Sequence, residues 1–174
     1  MERSKMKLAN IFCGYAAFVL VASTAAAQST PYTTTGTCSK PDVEQHVAAG
    51  DRPDHVFAIA QGKCKATGTV SGATSEVAVY SEHREITATS VKAWGVYVAT
   101  YDSGGTASYR FQMSLPIKGG AAQPGGGTFQ ATLGTGKMKG IKASGTCKYT
   151  PGADDVVSYT CSGEYTLAGA PAAK

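Results

Sequence analysis

The chain has 174 residues and a formal net charge of +4, from 16 Lys and Arg against 12 Asp and Glu. Half of that excess sits in the first 27 residues. The remainder is close to neutral and has no basic run, so there is no electrostatic case for binding nucleic acid or a membrane surface.

The N-terminus reads as a cleaved signal peptide over residues 1–27. Arg3, Lys5 and Lys7 form a basic start, Ile11 to Ser23 is an apolar stretch, and Ala25-Ala26-Ala27 offers small residues for cleavage. Cys13 lies inside the apolar stretch and leaves with it. Removing 27 residues from 174 leaves 147, enough for one domain with a core. No further apolar segment is long enough to span a bilayer, so the mature protein is expected to be soluble and periplasmic or secreted.

Residues 28–41 are polar, Thr-rich and without periodicity, and read as a flexible lead. The domain proper is expected over 42–168, with a tail at 169–174. Asp42 to Ala49 fits a short helix or a strand, with strand favoured because everything after it is β. Val56 to Cys64 carries Phe57 and Ile59, and Ser75 to Tyr80 carries Val77 and Val79. Glu85 to Tyr101 is long enough for one bent strand or two short ones, with Gly95 a candidate bend. Asp102-Ser103-Gly104-Gly105 is a turn.

Ser108 to Leu115 alternates with a period of two, which places Tyr109, Phe111, Met113 and Leu115 on one face. Pro116 to Gly126 is a Gly/Pro-rich loop, and Gly127 to Leu133 adds another strand. Two paired strands close the chain. Ile141, Ala143, Gly145, Cys147 and Tyr149 share one face of the first, and Val157, Tyr159, Cys161, Gly163, Tyr165 and Leu167 one face of the second. The spacing of about eight strands predicts an all-β fold, a barrel or a sandwich, and a single antiparallel barrel is the expectation. A barrel also removes the exposed edges of a flat meander.

Cys38, Cys64, Cys147 and Cys161 form an even set in an exported chain, which reads as two disulfides with three possible connectivities. The shared face of the last hairpin favours Cys147–Cys161 and leaves Cys38–Cys64. No two cysteines are spaced like zinc ligands, and no metal or cofactor is expected.

The run from Gly134 to Thr146, Gly-Thr-Gly-Lys-Met-Lys-Gly-Ile-Lys-Ala-Ser-Gly-Thr, resembles the glycine-punctuated hairpin of allene oxide cyclase-like barrels. That hairpin recurs in plant dirigent proteins and in small exported bacterial proteins. Asp54 to Gly62, Trp94-Gly95-Val96-Tyr97 and Tyr109-Arg110-Phe111-Gln112 are similar to the bacterial group. The resemblance covers 42–167 and implies an eight-stranded antiparallel barrel whose interior holds a small apolar molecule. Allene oxide cyclases cyclise a fatty-acid epoxide and dirigent proteins orient phenoxy radicals. Their functional residues do not map onto this chain, and the paired cysteines depart from both.

Candidate chemistry is sparse. Gly136-Lys137 is no phosphate loop, because Ala131 stands where the first glycine belongs and Met138 where Ser or Thr would. His46, His55 and His83 are the histidines after the leader. His83 and Glu85 share a strand face and form the weak acid/base candidate. Tyr97, Tyr109, Phe111, Tyr159 and Tyr165 share the apolar parity of their strands. They are the ligand-binding candidates, as core fillers or as walls of a pocket. Trp94 has the opposite parity from Tyr97 and is expected either outside the barrel or beyond a bulge.

The leading expectation is a non-enzymatic barrel that binds a small apolar or aromatic molecule. An isomerase or cyclase built on His83 and Glu85 is one alternative. An envelope structural or protein-interaction module, marked by an exposed apolar patch around Trp94, is another. A homo-oligomer is compatible with all three.

Overall fold

Alternation with a period of two dominates the chain, and the computed structural model, which describes residues 29–168, is built almost wholly of antiparallel strands. The expected signal peptide and the C-terminal tail lie outside the described residues. The strands are β1 (Thr30–Cys38), β2 (Val43–Ala48), β3 (Val56–Val70), β4 (Ala73–Ile86), β5 (Ser90–Tyr101), β6 (Thr106–Lys118), β7 (Ala121–Ala122), β8 (Gly125–Gly134), β9 (Lys142–Pro151) and β10 (Val157–Thr166). Their order is β1-β10-β9-β8-β6-β5-β4-β3, and β1 pairs with β3 as well as β10. That double pairing closes an eight-stranded barrel. Among the described residues no helix is long and apolar enough to cross a membrane.

The seam between β1 and β3 is short, running from Thr34↔Gly68 to Cys38↔Cys64. Beyond it, β2 takes over the same edge of β3, from Val43↔Gln61 to Ala48↔Val56. The closing strand is the segment expected to be a flexible lead. Tyr32, Thr34, Gly36 and Cys38 point inward from β1, and this mixture of an aromatic, a hydroxyl, a glycine and a cysteine hides the alternation that aliphatic residues would have displayed.

Cys38 faces Cys64 across the seam and Cys147 faces Cys161 across β9 and β10, and both pairs are disulfide-bonded. The break expected at Gly95 falls instead at Thr87–Thr89. There the Thr87 hydroxyl accepts the backbone N–H of Thr89 and Ser90, and the Asp54 carboxylate accepts that of Ala88. Gly95 lies within β5, opposite Glu82, where a Cβ would sit 2.1 Å from the Ser81 carbonyl oxygen. It serves close strand packing, not a bend.

Aromatic rings lie over inward-facing glycines. The Tyr159 ring covers Gly36, Tyr80 covers Gly62 and Phe129 covers Gly145, each so closely that a Cβ would collide with it. On β3 the inward face is accordingly small: Ala58, Ala60, Gly62, Cys64 and Ala66. Phe57, Ile59, Val77 and Val79 face outward, with Ile59 61% exposed.

Candidate functional site

Barrels of eight strands have interiors that side chains nearly fill. Here the filling is tyrosine. Tyr32, Tyr80, Tyr97, Tyr109, Tyr149 and Tyr159 project inward from six different strands and leave a cavity of about 100 Å³, with Phe111, Met113 and Phe129 completing its wall. One end of the barrel is plugged by Val70, Tyr101, Met138, Ile141 and Leu167, all buried. The other opens beside Ser39 and Asp155, both exposed.

Buried hydroxyls need partners, and the tyrosines supply them to one another. The Tyr97 and Tyr159 hydroxyls are 2.7 Å apart, and those of Tyr101 and Tyr109 2.9 Å apart. β5 and β10 stand on opposite sides of the barrel, so the Tyr97–Tyr159 bond spans it. The Tyr80 hydroxyl donates to the Ser39 carbonyl. Edge-to-face packing of Tyr97 on Tyr109 and Tyr159, and of Tyr32 on Phe129, fixes the rings.

Burial pushes the hydroxyls of Tyr32, Tyr97, Tyr101, Tyr109, Tyr149 and Tyr159 well above the ordinary tyrosine range. Burial and the nearby Glu82 carboxylate push Tyr80 up to about 12. A folded value raised above the unfolded one, about 10, means stability that is intact below that pH and lost as pH rises through the folded values. An alkaline titration is therefore expected to show phenolate absorbance at 295 nm rising together with loss of near-UV dichroism. A separate early step in absorbance, large enough for several tyrosines and without unfolding, would contradict the buried cluster.

The interior also holds a carboxylate that sequence reading passed over. Glu82 continues the inward face of Ala78 and Tyr80, and its side chain is 4% exposed. Arg84 Nε donates to Glu82 Oε1 at 2.6 Å and Arg84 Nη1 to Glu44 Oε1 at 2.7 Å. Desolvation raises the Glu82 pKa, and Arg84 opposes that rise. Counting by twos from Tyr80 would have found Glu82. A lone Glu in a strand instead reads as a solvent-facing residue.

His83 and Glu85 lie on the outer face, one position out of phase with the cavity. The His83 ring stacks on Trp94 at 6.0 Å, and Glu85 faces Lys92 and His55. The structure gives neither side chain access to the interior. His55 Nδ1 donates to Asp51 Oδ1 at 2.7 Å, and His46 lies 3.2 Å from Glu44. Tyr97, Tyr109, Phe111 and Tyr159 line the cavity. Tyr165 packs edge-on against Tyr32 instead, and its hydroxyl accepts the Ser71 N–H.

Solved structures similar to this chain include two dirigent proteins. The pterocarpan synthase dirigent protein PsPTS1 has 10% identity and a TM-score of 0.46, over 80% of this chain and 95% of its own. The pterocarpan synthase dirigent protein GePTS1 has 12% identity and a TM-score of 0.44, over 80% of this chain and 91% of its own. No family model and no curated protein matches the sequence. The barrel assignment rests on the register of this chain's own strands, and these likenesses add no ligand or activity to it. The expected closeness to exported bacterial proteins has no support in them.

At the opposite surface, Val47, Phe57, Ile59, Val79, Trp94 and Val96 form an exposed apolar face on β2–β5, with Trp94 44% exposed. The outward residues of β9 and β10 are Ser, Thr, Lys and Glu.

Proposed function

We propose that this is a non-enzymatic exported barrel that binds a small apolar or aromatic molecule in its interior. The observation that carries the reading is the tyrosine-walled cavity, plugged at one end and open at the other. Two disulfides support an oxidising, extracytoplasmic setting. The volume restricts the guest. An apolar cavity of about 150 Å³ admits benzene, so about 100 Å³ plus an open mouth suits a body of one ring. Native mass spectrometry of protein purified from its own source is expected to show a retained small molecule. Ala99 lines the cavity and is buried. Ala99→Leu should fill that space and weaken phenol binding, measured by calorimetry, at least about tenfold while near-UV dichroism is kept. Unchanged phenol binding by that variant would move the site out of the barrel.

A second reading, a protein-interaction or self-associating module, is favoured by the apolar face around Trp94. Large exposed apolar side chains gathered on one sheet face mark interaction sites. Ile59→Lys with Val79→Lys is expected to leave the barrel folded and to lower the mass seen by light scattering if the protein self-associates. A wild-type protein that is monomeric at high concentration would remove self-association from this reading.

A further inference from the structure

We propose that the cavity selects an organic cation, a small amine whose body lies among the tyrosine rings and whose ammonium group sits at the mouth. The inference rests on the reading of the barrel as a small-molecule binder and names the chemical class of its guest.

Charge at the mouth carries the argument. Glu82 and Asp155 line the cavity, and Glu44 stands behind Arg84. Against these three carboxylates stands the single guanidinium of Arg84, which Glu82 holds through Nε and Glu44 through Nη1. An anionic guest would face carboxylates with no uncommitted positive charge among these groups. A cation would find Asp155 and the second oxygen of Glu82.

The walls point the same way. The faces of tyrosine and phenylalanine rings are negative, and they attract ammonium groups within about 6 Å of the ring centroid. Tyr80, Tyr97, Tyr149 and Tyr159 surround the space next to Glu82 and Asp155.

A further observation marks the cavity as built to receive a guest. At its deep end Ser75 is 3% exposed, lines the cavity, and its hydroxyl has no hydrogen-bond partner in the protein. Buried hydroxyls are almost always paired. The cavity therefore offers a hydrogen-bonding group at the floor, aromatic rings along the wall and acidic groups at the mouth.

The test compares three one-ring probes of similar size: benzylammonium, benzyl alcohol and benzoate. Binding to the full-length mature protein is followed by calorimetry and by NMR of the tyrosine rings, at low and high salt. Benzylammonium is expected to bind about tenfold tighter than benzyl alcohol, with benzoate weakest and the preference shrinking in salt. Asp155→Asn and Glu82→Gln should each reduce that preference, read as the ratio of benzylammonium to benzyl alcohol affinity in the same variant. Asp155 has φ 56°, a left-handed conformation that Asn tolerates. That variant decides the matter if Glu82→Gln fails to fold. Equal binding of the ammonium and the alcohol overturns the cation inference and leaves the binding barrel standing. A preference kept in both variants also overturns it. No binding of any probe overturns the underlying reading, and the inference with it.

Discussion

Replacing Cys38 and Cys64 by serine is expected to cost more stability than replacing Cys147 and Cys161, although both pairs join neighbouring strands. Chain entropy alone puts the first at about 3.5 kcal/mol and the second at about 3 kcal/mol, for sequence separations of 26 and 14. Topology widens the gap. Cys147–Cys161 reinforces a hairpin whose ten register pairs and short turn already hold it. Cys38–Cys64 ends the seam that makes the sheet a barrel, and it is one of only five register pairs along that seam. Opening of that seam would expose the edge of β1 and the part of β3 that β2 does not cover.

The measurement is urea unfolding of the two double-serine variants. The Cys38/Cys64 variant should have the lower midpoint and should also lose near-UV dichroism from the interior tyrosines before β-structure is lost. Equal midpoints would mean that the seam holds without its disulfide. Reduction of the wild type is expected to combine both losses, about 6.5 kcal/mol, which matches the lower part of the usual stability of a domain, about 5–15 kcal/mol.

Arg84→Met is the second large effect. It removes the partner of a carboxylate that is 4% exposed. Breaking a buried ion pair from one side costs about 3–5 kcal/mol, because the remaining charge is stranded. Removing both charges together is expected to be far milder, so Arg84→Met with Glu82→Gln should regain most of the loss, giving a strong non-additive cycle.

The pH dependence follows in sign. Desolvation already raises the Glu82 pKa, and loss of Arg84 raises it further. Its stabilising protonated form is then present below the unfolded value, about 4.3, and is lost as pH rises through the folded value. Arg84→Met should therefore lie closer to wild type at pH 4 than at pH 7. A cost below about 1 kcal/mol at pH 7 would show that Glu82 finds enough water at the mouth to do without its partner.

Legibility varied along the chain for reasons that individual residues make plain. In β9 and β10 the two cysteines and the tyrosines fall on one face and Ser, Thr and Lys on the other, so pairing, facing and disulfide could be read directly. In β1 the inward residues are too mixed to show a period, and the strand was hidden. The cavity was half legible. Tyr97, Tyr109, Phe111 and Tyr159 shared an apolar parity, whereas Glu82, Arg84 and Ser75 are polar residues on an inward face and carry no such signal. His83 and Glu85 attracted notice as a pair, yet share the face of outward-pointing Ser81.

Alternation within a strand settles which residues share a side, and this much was contained in the sequence, together with the cysteine pairing and the β class. Which side faces inward is a matter of volume, and that was decided only when the strands closed. An eight-stranded interior has a limited cross-section. Once seven tyrosine rings occupy it, β3 supplies only Ala, Gly and Cys from Ala58 to Gly68, and its Val70 joins the plug at the end. Phe57 and Ile59, the larger apolar residues of β3, are displaced to the outer surface, and Glu82 is carried inside beside Tyr80.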